Sequence, residues 1–231
     1  MTIFKNVLDH GFVKLRNIAG PNGEGTDRDP ANAARLSFDS EGTRTEEQDL
    51  KLCDYLMKNK HTSPFEMLEL WIEMKLPIFV ARQFVRHRTT SINEVSGRYV
   101  TLPKEWYVPK PEHVGMKPKS VKQGRDEAEI TDTTLWFINT LDEDCEQSYK
   151  KYLEAIEMKI PAELARCLLH LNHYTHWLWK QDMHNMMHFL SLRAHNHAQF
   201  EPQQYAEAII EMLQEKLPHT MELFEKYRRL T

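Results

Sequence analysis

Between residues 68 and 76 every second side chain is apolar, in a run that reads LELWIEMKL. Successive side chains of a β-strand point to opposite faces of the sheet, so a period of two over nine residues predicts a strand. This run constrains the fold more than any other, because a strand requires hydrogen-bonded partners from elsewhere in the chain. Its apolar positions are Leu68, Leu70, Ile72, Met74 and Leu76.

Two more strands are predicted from apolar and aromatic runs. One covers residues 12–18 (FVKLRNI), and the other covers residues 173–181 (HYTHWLWKQ). Residues 19–30 contain glycine and proline and are expected to form a loop. Residues 100–123 carry four prolines and are expected to be irregular.

Helices account for most of the remaining chain. Thr45 and Gln48 form a capping-box pattern, which predicts a helix that begins there and ends near Asn59. Pro77 suits the first turn of a helix over residues 77–88. The other predicted helices span residues 31–38 (with Ser37 near the end), 126–158, 161–170, 184–195 and 201–217.

Three of these helices carry apolar stripes at spacings of three and four, which predict buried faces. The stripe of the capped helix is Leu50, Cys53, Leu56 and Met57. That of the long helix is Leu135, Ile138, Leu141, Cys145, Tyr149, Tyr152 and Ile156, and that of the last is Ala206, Ile209, Ile210, Leu213 and Leu217. Many helices with few, separated strands predict an α+β fold, and we expect a single domain over residues 1–231.

Composition excludes several classes of protein. The net charge is −4, so the chain lacks the general positive field of a nucleic-acid-binding protein. Three cysteines with no CxxC pair argue against a disulfide framework or a zinc ribbon. No apolar run approaches the roughly 20 residues of a membrane helix, so we expect a cytoplasmic protein that does not contact a membrane. Neither GxGxxG nor GxxxxGK[ST] is present, so a Rossmann turn or a P-loop is not expected.

Residues 86–99 (RHRTTSINEVSGRY) concentrate hydrogen-bond donors in one short segment. Arg86, Arg88 and Arg98 offer planar guanidinium groups that suit phosphate or carboxylate. Ser96 adds a short polar side chain, and Gly97 allows a backbone to approach a ligand closely. The segment favours a small polyanion with a heterocycle as ligand, although a solvated surface loop is the alternative.

Two other groups contain residues that could carry chemistry. The turn HTSPFE (residues 61–66) combines a histidine, a hydroxyl and a carboxylate between two regular elements. On the predicted helix over residues 184–195, His184 and His188 are four apart and share a face, a spacing that could hold a divalent metal. No HExxH motif accompanies them, so no metal is expected. Arg193 lies on a largely apolar helix, where an arginine is either functional or a structural ion-pair partner.

The motif RHR, seven residues, then Ser, followed by GRY, resembles the signature of the flavin-dependent thymidylate synthases. The resemblance extends to HTSPFE, PIFVARQFVRHR, Arg166 and the stretch LSLRAHNHAQFEPQQYA, which together cover about residues 10–225. The resemblance implies conversion of dUMP to dTMP, with methylene from 5,10-methylenetetrahydrofolate, FAD as cofactor and NADPH as reductant. It also implies a homotetramer with shared active sites, in which each chain has a central antiparallel sheet flanked by helices.

The resemblance also implies roles for individual residues. Those expected to bind dUMP are Gln83, Phe84, Val85, Arg86, Glu94, Val95, Ser96, Gly97, Arg98, Arg166 and Arg193. Those expected to bind FAD are Ser63, Arg86, His87, Arg88, Glu94, Asp182, Met183, His184 and His188. His61 and Tyr99 are expected near the folate, and Arg193 is expected to promote ionisation of uracil N3 as the catalytic residue. At Asp182, Met183 and His184 the chain departs from the asparagines and arginine that many family members carry.

The chemistry is expected to need no protein nucleophile. None of the three cysteines lies in a motif with a base, and no histidine stands at an obvious position to activate Ser96. Ser96 is therefore expected to position dUMP, because a flavin mechanism leaves binding and orientation to the protein. Two alternatives remain open from the residues alone: a module that clamps phosphate with RHR and binds nucleotides or nucleic acid, and a metallohydrolase that uses Asp182, His184 and His188.

Overall fold

A computed structural model of the protein describes residues 3–38, 44–115, 125 and 130–230. Its centre is an antiparallel sheet in which strands lie in the order β1-β2-β4-β6-β5, with β3 paired to β2. The strands are β1 (Ile3–Val7), β2 (Gly11–Gly20), β3 (Gly23–Glu24), β4 (Glu69–Pro77), β5 (Ser91–Glu94) and β6 (Tyr174–Asp182). The three predicted strands are confirmed as β2, β4 and β6, whereas β1, β3 and β5 were not predicted.

Ten α-helices occur in the described part of the chain. They are α1 (Asp29–Arg35), α2 (Glu46–Lys58), α3 (Ser63–Glu66), α4 (Ile78–Phe84), α5 (Pro111–Val114), α6 (Asp132–Glu157), α7 (Ala162–Ala165), α8 (Met183–Arg193), α9 (Phe200–Lys216) and α10 (Pro218–Tyr227). Two 3-10 turns, Leu36–Phe38 and Arg166–Leu168, continue α1 and α7. The α+β fold is thus confirmed.

The alternation in β4 places its apolar side chains in the core. Leu68, Leu70, Met74 and Leu76 are fully buried, and Ile72 is almost so. They pack with Trp177 and Trp179 of β6 and with the inward faces of α8, α9 and α10. A second, smaller cluster joins Tyr149 and Tyr152 of α6 to Ala165 of α7.

The predicted cap of α2 and the predicted apolar stripes of α2 and α9 can be compared with the structure. The capping box of α2 is confirmed, since the Thr45 side chain accepts from the backbone of Gln48 and the Gln48 side chain accepts from the backbone of Thr45. The inward stripe of α9 is confirmed as well, because its five predicted residues are all buried. Of the α2 stripe, Leu50 is half-buried, and Asp49 takes the buried position instead.

Several predicted boundaries were wrong for local physical reasons. Pro77 ends β4 with extended backbone and precedes the first residue of α4, and α4 ends at Phe84 rather than at residue 88. The long helix begins at Asp132, where Thr131 and Thr134 cap it, and residues 126–129 lie outside the described residues. Leu135 of its stripe is 41% exposed. Pro218 does end α9, but it also occupies the first turn of α10, a position that suits proline.

Candidate active site

Arg193, the last residue of α8, is held by the C-terminal end of α4. Its Nε donates to Nε2 of His87 at 3.2 Å. Its Nη1 donates to the side-chain oxygen of Gln83 at 3.4 Å, and its Nη2 donates to the Gln83 carbonyl at 3.3 Å. The structure therefore brings together three residues that the sequence placed in one site. Arg193 is more than 100 positions away from Gln83 and His87 in the chain.

His87 is neutral in this arrangement, because a protonated ring could not accept from Arg193. Burial, together with the smaller effects of the nearby Arg193 and His188 charges, lowers its pKa to about 4. Its ring packs edge-on against Phe189, with centroids 5.0 Å apart, and lies 6.0 Å from the ring of His188. His87 is therefore a fixed hydrogen-bond acceptor for Arg193 at physiological pH.

Acidification is expected to destabilise the protein through two histidines. His173, which is 2% exposed and stacks on Tyr149, has its pKa lowered by burial to about 4, as His87 does. Between this value and the ordinary 6.5 the unfolded chain binds more protons than the folded one, so stability falls as the pH is lowered through that window. Thermal unfolding at pH 4.5 and 7.5 should show the loss. His173→Gln should make the free energy of unfolding less dependent on pH, by at most about 1.4 kcal/mol per pH unit. An unchanged pH dependence would contradict the role of His173.

Gln199, a residue that the sequence did not single out for the site, is also part of this group. The Nε2 of Gln83 donates to Oε1 of Gln199, which immediately precedes α9. The residue lies within the stretch LSLRAHNHAQFEPQQYA that carries the family resemblance, but neither its side chain nor its spacing indicates the contact. We call Gln83, His87, Arg193 and Gln199 the arginine cluster.

A second group lies where the chain leaves β5. The backbone N–H of Val95 donates to the carbonyl of His176 at 2.8 Å, and Glu94 accepts a hydrogen bond from the buried Thr175 hydroxyl. Ser96 Oγ accepts from both the backbone N–H and the Nε of Arg98, each at 3.3 Å. Neither donor is a base that could take the proton of the serine hydroxyl.

The side chains of Leu102 and Arg166 pack closely against Gly97. A Cβ at position 97 would lie 3.0 Å from Leu102 Cδ1 and 3.3 Å from Arg166 Cδ. Leu102 is itself held by α6, since its N–H donates to the Tyr152 hydroxyl and its carbonyl accepts from Tyr149. Ser96, Gly97, Arg98 and Arg166 thus form a supported cationic group with two exposed arginines, which we call the serine–arginine group.

The aromatic residue after this group is open to solvent. Tyr99 is 78% exposed, and the Arg98 guanidinium lies 5.0 Å from its ring centroid. An exposed ring beside a cation can stack against a flat ligand.

The HTSPFE turn lines a cavity of about 740 Å³ between α1, α2 and α3. His61 and Ser63 line it, and the His61 ring lies 6.0 Å from the ring of Tyr55. Arg35 and Arg44 contribute positive charge to the same wall. Sequence reasoning missed Tyr55 and Arg44, which come from an exposed helix face and from the residue just before the capping box.

The polar and apolar side chains at the start of α8 are mostly engaged in contacts within the protein. Asp182 caps the helix by accepting from the backbone N–H of Asn185 at 2.9 Å and from its side chain at 2.8 Å. Met183 is fully buried and its backbone N–H donates to the Leu68 carbonyl at 2.8 Å, so any ligand contact would come from its carbonyl oxygen. Burial and the charge of Arg228 lower the pKa of His184.

The residues of the metallohydrolase alternative do not form a metal site in the described structure. Among residues 3–38, 44–115, 125 and 130–230, no three His, Cys, Asp or Glu side chains are grouped so that they could hold a metal ion. Over the same ranges no helix is long and apolar enough to cross a membrane.

Four residues at and before the RHR motif differ in how far their side chains are exposed to a ligand. Phe84 is 1% exposed and packs edge-on against Phe189, with ring centroids 4.8 Å apart, so its side chain supports the site from the core. Val85 is 41% exposed. The side chains of Arg86 and Arg88 are exposed and make no hydrogen bond or ion pair with the described part of the chain. Two guanidinium groups are thus free to bind an anion.

Two parts of the predicted site are far apart within one chain. The HTSPFE turn leads into the Glu69 end of β4, which pairs with Asp182 of β6, whereas Val95 lies at His176. Six residue steps along β6 separate these positions, or about 20 Å at ~3.3 Å per residue. Strand pairing therefore directs the HTSPFE turn and the serine–arginine group toward different ends of β6.

Comparison with protein families gives a match over most of the chain. The family model described as "Thymidylate synthase complementing protein" matches residues 22–219. The chain belongs to the flavin-dependent thymidylate synthase family. Its resemblance to that family is thereby confirmed, and membership makes it a methyltransferase enzyme.

Relatives named flavin-dependent thymidylate synthase are similar over nearly the whole chain. The one from Wolbachia pipientis wMel is 43% identical over 221 residues, covering 96% of this chain and 76% of its own length. The one from Thermus thermophilus is also 43% identical, covering 96% and 78%.

A solved structure shares the fold of this thymidylate synthase family member. It is the UMP/dUMP methylase PolB from Streptomyces cacaoi bound with 5-Br dUMP, with a TM-score of 0.84 and 27% identity. The match covers 98% of this chain and 99% of PolB. A second structure of the same methylase, bound with 5-Br UMP, matches with the same TM-score.

Proposed function

We propose that the protein methylates dUMP to dTMP, using FAD as cofactor, 5,10-methylenetetrahydrofolate as methylene donor and NADPH as reductant. Family membership and the nucleotide-bound methylase neighbour support this assignment. A methylene group becomes a methyl group by gaining two electrons. Because NADPH supplies them, the folate leaves as tetrahydrofolate and not as dihydrofolate.

The observation that carries the proposal is the geometry of Arg193. A guanidinium has five N–H donors, and His87 and Gln83 engage three of them. One N–H on each Nη remains available to a ligand. Directed at the pyrimidine of dUMP, this pair would stabilise negative charge at N3 and its neighbouring carbonyl, which is the catalytic role we assign to Arg193.

The donor set around the RHR motif fits FAD. Arg86 and Arg88 offer two unpaired guanidinium groups, which suit a pyrophosphate, and the exposed His188 lies beside His87. When bound, FAD supplies the reducing equivalents for the reaction. Ser63, Asp182, Met183 and His184 would hold it together with these residues, with Met183 contributing its backbone.

The serine–arginine group fits the dUMP phosphate. Arg98 and Arg166 supply charge, and Gly97 lets the Arg166 side chain lie against the backbone next to Arg98. Glu94 and Val95 follow β5 into this group and would contact the nucleotide there. Tyr99 and His61 each offer an aromatic ring, on which the pterin of the folate can stack.

We propose that the active site is shared between subunits of a homotetramer. The separation of about 20 Å along β6 supports this, because the segments that carry the HTSPFE turn and the serine–arginine group meet β6 that far apart. Ser63 would then reach the flavin of a neighbouring subunit. The protein is proposed to act in the cytoplasm, which suits its free thiols Cys53, Cys145 and Cys167.

Ser96→Ala is expected to weaken dUMP binding several-fold and to leave turnover. The serine hydroxyl contacts only Arg98 among the described residues, and a cation cannot take its proton, so the side chain is positioned to hold a ligand and not to attack one. Steady-state kinetics with dUMP as the varied substrate would measure this. Complete inactivity with unchanged dUMP affinity would show that Ser96 is a nucleophile.

The proposed function is tested by spectroscopy and product analysis. The purified protein should be yellow, with a flavin absorption spectrum that changes when dUMP is added. Incubation with dUMP, methylenetetrahydrofolate and NADPH should yield dTMP and tetrahydrofolate. A colourless protein that forms no dTMP after FAD is added back would refute the proposal.

A further inference from the structure

Gln199 occupies a capping position without capping its helix. It is the N-cap residue of α9, with extended backbone, but its side chain makes no hydrogen bond to that helix. N-cap side chains usually accept from the first turn. Here the side-chain oxygen instead accepts from Nε2 of Gln83, which belongs to α4.

The backbone around Gln199 is held firmly. Glu201, two residues further on, is fully buried, and both of its carboxylate oxygens accept from Nη2 of Arg125 at 2.7 Å. The Tyr107 hydroxyl adds a third hydrogen bond at 3.1 Å. The Phe200 ring lies 4.0 Å from that of His113. The start of α9 is thus fixed, and the Gln199 side chain projects from a rigid base.

From this geometry we infer that Gln199 is a positioning residue that sets the orientation of Arg193 through the carboxamide of Gln83. A carboxamide has an oxygen on one side and an NH₂ on the other. With the Gln83 NH₂ bound to Gln199, its oxygen faces Arg193 and accepts from Nη1. Without Gln199, the carboxamide is free to rotate, and its NH₂ would then face the donors of the guanidinium.

The inference rests on the proposed function of Arg193 and extends it to a residue that does not touch the substrate. Three N–H groups of Arg193 must be engaged for the remaining two to point at the pyrimidine. Gln83 accepts two of these three hydrogen bonds. A disordered Gln83 side chain would therefore leave the Arg193 guanidinium less firmly oriented toward the pyrimidine. The effect should appear in the chemical step and in the ionisation of the bound nucleotide.

Three variants test this inference. Gln199→Leu removes the acceptor with little change in size, and we expect kcat to fall about tenfold, the typical effect of losing one hydrogen bond. Gln199→Glu keeps an oxygen acceptor and should restore most of the activity. Gln203→Leu, one turn further along α9 in the same shallow pocket, changes a glutamine that makes no contact with Gln83 and should behave as the wild type.

A readout other than turnover separates positioning from folding. The ionisation of dUMP labelled with ¹⁵N at N3 can be followed by NMR on the complex with each variant. Gln199→Leu should raise the midpoint of that ionisation part of the way toward the value for Arg193→Ala, with an unchanged unfolding temperature. If Gln199→Leu has the kcat and the ionisation midpoint of the wild type while Arg193→Ala is impaired, the inference about Gln199 is wrong and the proposed function is unaffected. A fall in activity that only follows a loss of folded protein would also overturn it, whereas a wild-type protein that forms no dTMP would refute the proposed function itself.

Discussion

Arg193→Ala is expected to lower kcat for dTMP formation by about 10²- to 10³-fold, as the loss of one preorganised donor to a developing anion does in other enzymes. Alanine leaves no donor beside the pyrimidine, while the scaffold around it stays intact. The arginine is half-buried and contacts His87 and Gln83 only through hydrogen bonds, so far-UV circular dichroism and the unfolding temperature should change little.

Two controls make the Arg193 result specific. Arg193→Lys keeps the charge but loses the planar fork, so it should recover only part of the turnover. Removing Arg193 should also raise the pKa of His87 in part, since Arg193 is a lesser cause of its depression than burial. Activity near the wild-type level in Arg193→Ala would exclude the catalytic role assigned to this residue.

Asp49→Ala is expected to destabilise the protein by about 3 kcal/mol, the lower end of the range for breaking a buried ion pair from one side. Asp49 is 1% exposed and accepts from two arginines. Arg28 approaches one carboxylate oxygen at 2.7 and 2.9 Å, and Arg35 approaches the other at 2.9 Å. The lower end applies because the Arg28 side chain is 38% exposed and can regain water, whereas Arg35, at 13%, would keep only its hydrogen bond to the Gln48 carbonyl.

Asp54→Ala on the same helix is the matched control. Asp54 pairs with Lys226 at the surface, where both side chains keep more than a third of their exposure, and surface pairs contribute little. Urea denaturation of both variants should show a large shift of the midpoint for Asp49→Ala and almost none for Asp54→Ala. Equal midpoints would mean that the two arginines find new partners when the carboxylate is lost.

The parts of the fold that follow from local rules could be predicted. The β4 strand has a strict period of two, and α2 carries its own cap, so neither depends on distant residues to be recognised. The β5 strand has only four residues, exposed or half-buried, and it is a strand because β6 supplies its hydrogen bonds. That pairing joins residues almost 90 positions apart, and no local pattern indicates it. Asp49 is similar, because its burial depends on arginines 14 and 21 residues away.

The candidate site was predicted in its members but not in its layout. The structure places Gln83, His87 and Arg193 together, and their roles stay predictions, whereas the sequence gives no sign that Glu69 and Val95 meet β6 six residues apart. Distances of this kind follow from strand pairing, which residue types do not encode. Gln199 could not be found from the sequence because its role depends on one side-chain contact between two helices.

The pairing of β5 with β6 makes the length of the segment over residues 86–99 as important as its composition. Ser91 and Glu94 are in register with Lys180 and Trp177, so the strand fixes how many residues separate the RHR motif from Ser96. A shift of one residue would turn each side chain of the strand to the opposite face of the sheet. Substitutions of the exposed Ser91 and Asn93 should therefore be far better tolerated in evolution or in mutational libraries than an insertion or deletion of a single residue between Arg88 and Ser96.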